Sequence, residues 1–136
     1  MEYADDCILD IYILCVILIG GIFMEMKVHL HADVFEIVKQ GKKDIEVRIN
    51  DEKRRQLKIG DTLVFLKRPN DDEEIRAKVV ALEYYDYFYN LVEHYDMERL
   101  YLEGYTKEQY LEEMKRFYTI EEQEENGVVA ILFEKE

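Results

Sequence analysis

The residues whose types and spacing could do chemistry lie in segment 41–48, which reads Gly-x-Lys-x-x-Glu-x-Arg. The second half of this segment alternates between polar and apolar residues, which predicts a β-strand. Asp44, Glu46 and Arg48 would share one face of that strand, and Lys43 would stand at its entrance. An amine, a carboxylate and a guanidinium placed this close together predict the wall of a ligand pocket.

Each of these side chains has more than one possible use. Arg48 presents a planar fork that matches phosphate or carboxylate, or it forms an ion pair with Glu46 or Asp44. Glu46 could accept hydrogen bonds from a base edge, act as a general base or orient Arg48. Lys43 could act as a base or nucleophile only if its pKa lay well below about 10.4; Arg48 would lower that pKa and Glu46 would raise it. Lys43 and Glu46 are therefore the catalytic candidates, and Lys43, Glu46 and Arg48 are the ligand-binding candidates.

Two further groups extend the candidate site. Arg54 and Arg55 belong to a basic run on a short helical turn, which either contacts phosphate or forms a solvated face. Nine tyrosines lie within residues 84–118, and helical spacing places most of them in the core. Tyr85 and Tyr105 are the candidates for stacking on an exposed base.

A metal site is not expected. His29 and His31 would share a strand face, but no third ligand follows at a convincing spacing. Serine is absent, and both cysteines, Cys7 and Cys15, lie in the N-terminal apolar stretch, so a Ser or Cys nucleophile is excluded from the rest of the chain. We expect neither a metal nor another cofactor.

Length and charge limit the possible partners. The 136 residues suit one domain, and the formal net charge is −13. Residues 39–78 carry 12 Lys/Arg against nine Asp/Glu, about +3, which leaves −16 for the remainder. A local anion site is allowed, whereas binding to DNA, to long nucleic acid or to an anionic membrane is disfavoured. Two cysteines build no disulfide framework, which predicts a reducing, cytoplasmic setting.

Residues 1–25 are interpreted as an apolar N-terminal extension. Its acidic start lacks the basic region of a secretory signal, and its uninterrupted apolar run is shorter than the roughly 20 residues that span a bilayer. One hypothesis is a mis-annotated start, with Met24 or Met26 as the natural first residue. Gly20-Gly21 favours it, because a purine-rich ribosome-binding site would be translated into such residues. The less favoured hypothesis is a membrane anchor that begins near Ile8.

The rest of the chain is predicted as one α+β domain. The predicted strands are 27–30, 44–49, 62–67, 75–82 and 127–133, with the third and fourth forming a hairpin. The predicted helices are 32–40, a brief turn before residue 57, one that begins near 84–87, then 96–102 and 106–117; residues 121–127 are predicted as an acidic loop. This order indicates a small mixed, mostly antiparallel β-barrel with flanking helices and a helical insertion before the last strand.

The 41–48 motif, preceded by a helix and followed by segment 50–61, resembles the ASCH domain family, a branch of the PUA-like β-barrels. The resemblance covers about 26–136, including the closing strand, and is greatest to small single-domain members. It implies a cleft beside the barrel that binds RNA or a nucleotide. Some members are amidohydrolases that remove the acetyl group from N4-acetylcytidine, and others are ribonucleases. The amidohydrolases carry Thr where this chain has Glu46, so the resemblance extends to Lys43 and departs at Glu46.

The leading expectation is a PUA-like domain that binds RNA, a nucleotide or a modified nucleoside in a small basic cleft. One alternative is a hydrolase acting on a modified nucleoside such as N4-acetylcytidine, with Lys43 and Glu46 catalytic. The other is a non-enzymatic regulatory domain whose acidic helical face meets a protein partner. The oligomeric state is not predicted by the sequence.

Overall fold

The computed structural model describes residues 11–18, 21–100 and 104–136. Within these ranges six strands form one sheet in the order β1-β2-β4-β5-β6-β3. The strands are β1 (Ile11–Leu18), β2 (Gly21–Leu30), β3 (Ile45–Ile49), β4 (Thr62–Lys67), β5 (Glu74–Tyr85) and β6 (Val128–Lys135). The helices are α1 (Ala32–Lys39), α2 (Glu52–Arg55), α3 (Phe88–Leu91), α4 (Met97–Leu100), α5 (Lys107–Lys115) and α6 (Ile120–Asn126), and a 3₁₀ turn spans Val92–His94.

The sheet is mixed and mostly antiparallel, as predicted. Strands β2 and β4 pair in parallel, and the other described pairs are antiparallel. Strands β4 and β5 form the predicted hairpin. Strand β6 lies between β5 and β3, so the last strand of the chain joins the motif strand to the hairpin. The result is a curled half-barrel with flanking helices, which confirms the predicted fold class.

The sheet separates two hydrophobic cores. The inner core contains side chains of β2, β4, β5 and β6 together with the apolar face of α1. The helical core contains the other face of β3 and β6, packed against α3, α4 and α5. Ile45, Val47 and Ile49 belong to the helical core, so the alternation predicted for β3 is confirmed. Glu46 and Arg48 consequently face the inner core.

Local signals in the sequence explain several helix ends. Gly41 has φ +80° just after α1, where a left-handed residue was predicted. The Asp51 carboxylate caps α2 by accepting a hydrogen bond from the backbone N–H of Arg54 at 3.1 Å. Thr106 and Gln109 form the predicted capping box of α5.

Three element predictions were wrong. Strand β5 continues to Tyr85, because residues 82–85 pair with β6; the helix predicted near 84–87 therefore begins only at Phe88. Residues 121–127 are mostly helix α6, which opens with a second capping box made by Thr119 and Glu122. Strand β2 begins at Gly21 rather than at residue 27, because it also pairs with β1.

Part of the predicted extension lies outside the described residues, namely 1–10 and 19–20, as does Leu102, the predicted end of a helix. Strand β1 and the start of β2 lie within the predicted extension and form an antiparallel pair. The boundary predicted at residues 25–26 stays a prediction. None of the helices in the described part of the chain has the length and apolar character needed to cross a membrane.

Candidate functional site

Strand β3 and the residues before it place the three motif side chains in the interior. Lys43, Glu46 and Arg48 are each about 1% exposed. Across the sheet, Glu46 lies opposite Ile131, and Arg48 lies opposite Val129. The polar strand face predicted from the sequence therefore exists, but it is turned toward the inner core rather than toward solvent.

Lys43 is held by backbone carbonyls. Its Nζ donates to the carbonyl oxygen of Leu100 at 2.6 Å and to that of Ile45. Burial lowers the pKa of the Lys43 amine below its ordinary 10.5; Glu46 opposes this shift, Arg48 adds to it, and Asp44 opposes it. The direction of this shift is the one that a lysine base or nucleophile requires.

Glu46 and Arg48 form a buried ion pair. The Arg48 Nε donates to the Glu46 Oε1 at 3.3 Å, so Glu46 orients Arg48 as one sequence interpretation expected. Among the described residues, nothing donates a hydrogen bond to the second carboxylate oxygen, Glu46 Oε2. A buried acceptor of this kind costs free energy, and a ligand that donates a hydrogen bond to it would recover that cost.

Helix α4 covers the Lys43 end of this cluster. Besides the Lys43 bond to Leu100, the guanidinium of Arg99 makes two hydrogen bonds to the Asp44 carboxylate, at 2.8 and 3.2 Å. The side chains of Arg99 and Asp44 are 41% and 45% exposed. Sequence reasoning missed this contact, because 55 residues separate the partners and no motif marks the pair.

The two arginine candidates have different surroundings. Arg54 is buried, and its backbone N–H belongs to the α2 cap. Arg55 is exposed, and its Nη2 donates to the Asn126 side-chain oxygen at 2.9 Å. Of these two side chains, only Arg55 is thus presented to a solvent-borne phosphate in this structure.

The two tyrosine candidates pack toward the helical core. The half-buried ring of Tyr85 lies 5.0 Å from that of His94, and its hydroxyl lies 3.0 Å from the Tyr95 hydroxyl. Tyr95 also donates to Glu83, and burial followed by this bond raises the pKa of Tyr95. Tyr105 is half-buried against the same core. Neither ring lies on the Arg48 face of the sheet.

The neighbouring Tyr84 does lie on that face, and sequence reasoning missed it. Tyr84 is paired with Val129, which is also the partner of Arg48. Tyr84 is 58% exposed. The period-two alternation of a strand would have separated Tyr84 from Tyr85, but helical spacing was assumed for this segment.

The histidines do not form a metal site with other residues that the structure describes. The Nδ1 of His29 lies 3.3 Å from a carboxylate oxygen of Asp71, and His31 is exposed. Within the described ranges, no three His, Cys, Asp or Glu side chains are grouped closely enough to hold a metal ion.

Comparisons with known proteins agree with this architecture. The family model described as the ASCH domain matches residues 28–136. The crystal structure of the hypothetical protein PH0355 is 32% identical with a TM-score of 0.73, and the match covers 83% of this chain and 100% of that one. The solution NMR structure of PF0455 from Pyrococcus furiosus is 33% identical with a TM-score of 0.67, covering 82% and 97%. No curated protein matches the chain.

The family match begins within β2 and spans the motif, strands β3 to β6 and the helical insertion. The solved structures share the fold over nearly their whole lengths, which supports a PUA-like half-barrel. This chain belongs to the ASCH domain family.

Proposed function

We propose that the protein binds RNA or a nucleotide-like ligand at the Lys43–Glu46–Arg48 cluster. The observation that carries the proposal is the burial of three charged side chains, two on the inner face of β3 and one in the loop just before it, with the Glu46 Oε2 left without a hydrogen bond from the described residues. Buried charge is expensive for a fold, and such clusters are enriched at functional sites. The two cysteines are compatible with a cytoplasmic protein.

The chemistry of the cluster suits a nucleotide. Arg48 offers a fork for phosphate or for a base carbonyl, and Glu46 Oε2 accepts from an amino or imino group. When Lys43 is protonated, the cluster holds two cations and one carboxylate. Its net charge is then positive, so it favours an electron-rich ligand. Since the cluster is about 1% exposed, the ligand enters when the cover over Lys43 opens.

Thermal shift with nucleosides, nucleotides and short RNAs tests this proposal, because a ligand that binds the native state raises the melting temperature. Glu46→Gln keeps the side-chain shape and removes the charge, so it should lose the ligand-induced rise. Arg116→Gln, at an exposed pair on α5, is the matched control and should keep it. If no member of the panel stabilises the wild type, the proposal is wrong.

A hydrolase acting on a modified nucleoside is the second candidate, and the lowered pKa of Lys43 favours it. A neutral amine would keep a lone pair while its two N–H bonds go to the carbonyls of Ile45 and Leu100. Incubation with N4-acetylcytidine should then release cytidine, and Lys43→Met should abolish that release. If the wild type releases no cytidine, the hydrolase candidate is wrong and only the binding function remains.

A further inference from the structure

A polar cavity of about 610 Å³ lies where β3 and β5 end and β6 begins. Its volume is within the range of roughly 300–1,000 Å³ that small-ligand sites occupy. Lys43, Glu46 and Arg48 do not line it, so it is a separate feature from the buried cluster. Tyr84, Asn50 and Asp86 are among the residues that do.

Tyr84 connects this cavity to the cluster through the sheet. Its partner Val129 is also the partner of Arg48, so the three residues form one row across β5, β6 and β3. Residues directly opposite in antiparallel strands share a face, and two strand spacings amount to about 10 Å. The exposed ring of Tyr84 thus stands on the same face as the buried guanidinium, about one nucleotide away.

Asn50 connects the polar face of β3, which carries Arg48, to the cavity. It follows β3 two residues after Arg48, and it lines the cavity with partial exposure. Its side-chain oxygen is buried and accepts no hydrogen bond from the part of the chain that the structure describes. The polar face of β3 therefore runs from an interior ion pair to an amide oxygen at the cavity wall that accepts no hydrogen bond from the described residues.

The remaining charges of the cavity restrict what it accepts. Asp86, Glu124 and Glu125 line it, and ionised carboxylates are acceptors only. They repel a phosphate, and they attract a ligand that presents N–H donors. An aromatic ring for stacking, an amide oxygen that can still accept a hydrogen bond, and acceptor-rich walls together match a nucleobase with an exocyclic amino group.

We infer that this cavity holds the base of the bound ligand, with the base stacked on Tyr84 and its amino group bonded to Asn50. The inference rests on the proposed function and adds that adenine, cytosine or guanine is preferred over uracil. The sugar and any phosphate then extend toward Arg48. Stacking on an aromatic side chain tolerates any base, so the preference arises from Asn50 and the carboxylates.

Titration of the full chain with adenosine, cytidine and uridine, followed by NMR, tests the assignment without any phosphate. Tyr84→Leu should weaken cytidine binding about tenfold, whereas Tyr84→Phe should keep it. Tyr89→Leu is the matched control, because Tyr89 is 52% exposed and lines a different cavity beside α5. Asn50→Leu should remove the preference for cytidine and adenosine over uridine. Melting temperatures establish that each variant is folded.

The outcomes separate this inference from the proposed function. If Tyr84→Leu binds cytidine as well as wild type does, while Glu46→Gln does not bind it, the base lies elsewhere and only this inference is overturned. If wild type prefers uridine, the amino-base assignment is overturned. If wild type binds no nucleoside, nucleotide or short RNA, the proposed function fails and this inference fails with it.

Discussion

The three buried charges in β3 and just before it are a costly way to stabilise a fold. Glu46 and Arg48 lose their hydration in the inner core, and the hydrogen bond that joins them is long at 3.3 Å. The desolvation penalty of a buried pair often exceeds its attraction, so a well-packed apolar pair of similar size is usually as stable. We therefore interpret the cluster as the proposed ligand site rather than as a feature that stabilises the fold.

A double-mutant cycle tests this account of the ion pair. Glu46→Leu alone leaves the Arg48 charge buried without its carboxylate and should lower the free energy of unfolding by about 3–5 kcal/mol. Glu46→Leu combined with Arg48→Met should recover most of that loss, since no unmatched charge of the pair remains. Urea denaturation measures the free energy of unfolding of Glu46→Leu, Arg48→Met and the double variant. If the loss in the double variant equals the sum of the losses in the two single variants, Glu46 and Arg48 do not stabilise each other as an ion pair.

Lys43 should make stability rise with pH. Its pKa is lowered in the folded state, so between that value and 10.5 the unfolded chain binds more protons than the folded one. Stability therefore increases as pH rises through this window and levels off above it, by at most about 1.4 kcal/mol for each unit by which the pKa is lowered. Lys43→Met should remove this rise.

Chemical denaturation between pH 6 and pH 10 measures the effect as the difference between wild type and variant. Lys78→Met on β5 is the control, because the Lys78 side chain is exposed. A difference between wild type and Lys43→Met that stays constant with pH would contradict the buried-amine interpretation. The difference in the free energy of unfolding between wild type and Lys78→Met should stay constant with pH.

At the scale of single residues, the sequence predicted which side chains belong together but not their exposure. The alternation in β3 was enough to place Glu46 and Arg48 on one face. That this face turns inward depends on β6, whose Val129 and Ile131 belong to the inner core and are more than 80 residues away in sequence. Long-range pairing of this kind leaves no local signal.

At the scale of elements, α4 is the part best placed to control access to the cluster. Its described part, Met97–Leu100, is about one turn long, and a single turn has little helical stability of its own. Its described polar anchors on β3 and the preceding loop include the Arg99–Asp44 pair and the Lys43 bond to Leu100. The exposed pair contributes little to global stability, so it can break without unfolding the domain.

Arg99→Gln should therefore loosen α4 while leaving the fold intact. We expect faster hydrogen exchange of the α4 amides, a melting temperature within about 3 °C of wild type, and faster acetylation of Lys43 by a small acylating reagent, detected by mass spectrometry. Arg116→Gln, just after α5, breaks an ion pair that has no recorded contact with Lys43 or α4 and should not change that rate. Unchanged Lys43 labelling in Arg99→Gln would mean that another element closes the site.

Element prediction succeeded where the signal was local. The capping box of α5 and the glycine after α1 were identified from a few neighbouring residues. The capping box of α6 has the same form, but the many acidic residues of this segment were interpreted as a loop. The end of β5 was missed for the opposite reason, because its last four residues are held in strand form by pairing with β6.

At the scale of the whole molecule, charge should limit the length of RNA that binds. The net charge is −13, and the part outside residues 39–78 carries about −16, so phosphates that extend beyond the site meet a repulsive surface. For single strands, the logarithm of affinity falls with the logarithm of salt at about 0.7 per neutralised phosphate. A protein that engages one or two phosphates should therefore show the same small slope for a mononucleotide and for a 12-mer RNA.

Titrations at several salt concentrations measure both slopes. A slope that grows with RNA length would instead indicate an extended basic track, which this distribution of charge does not provide.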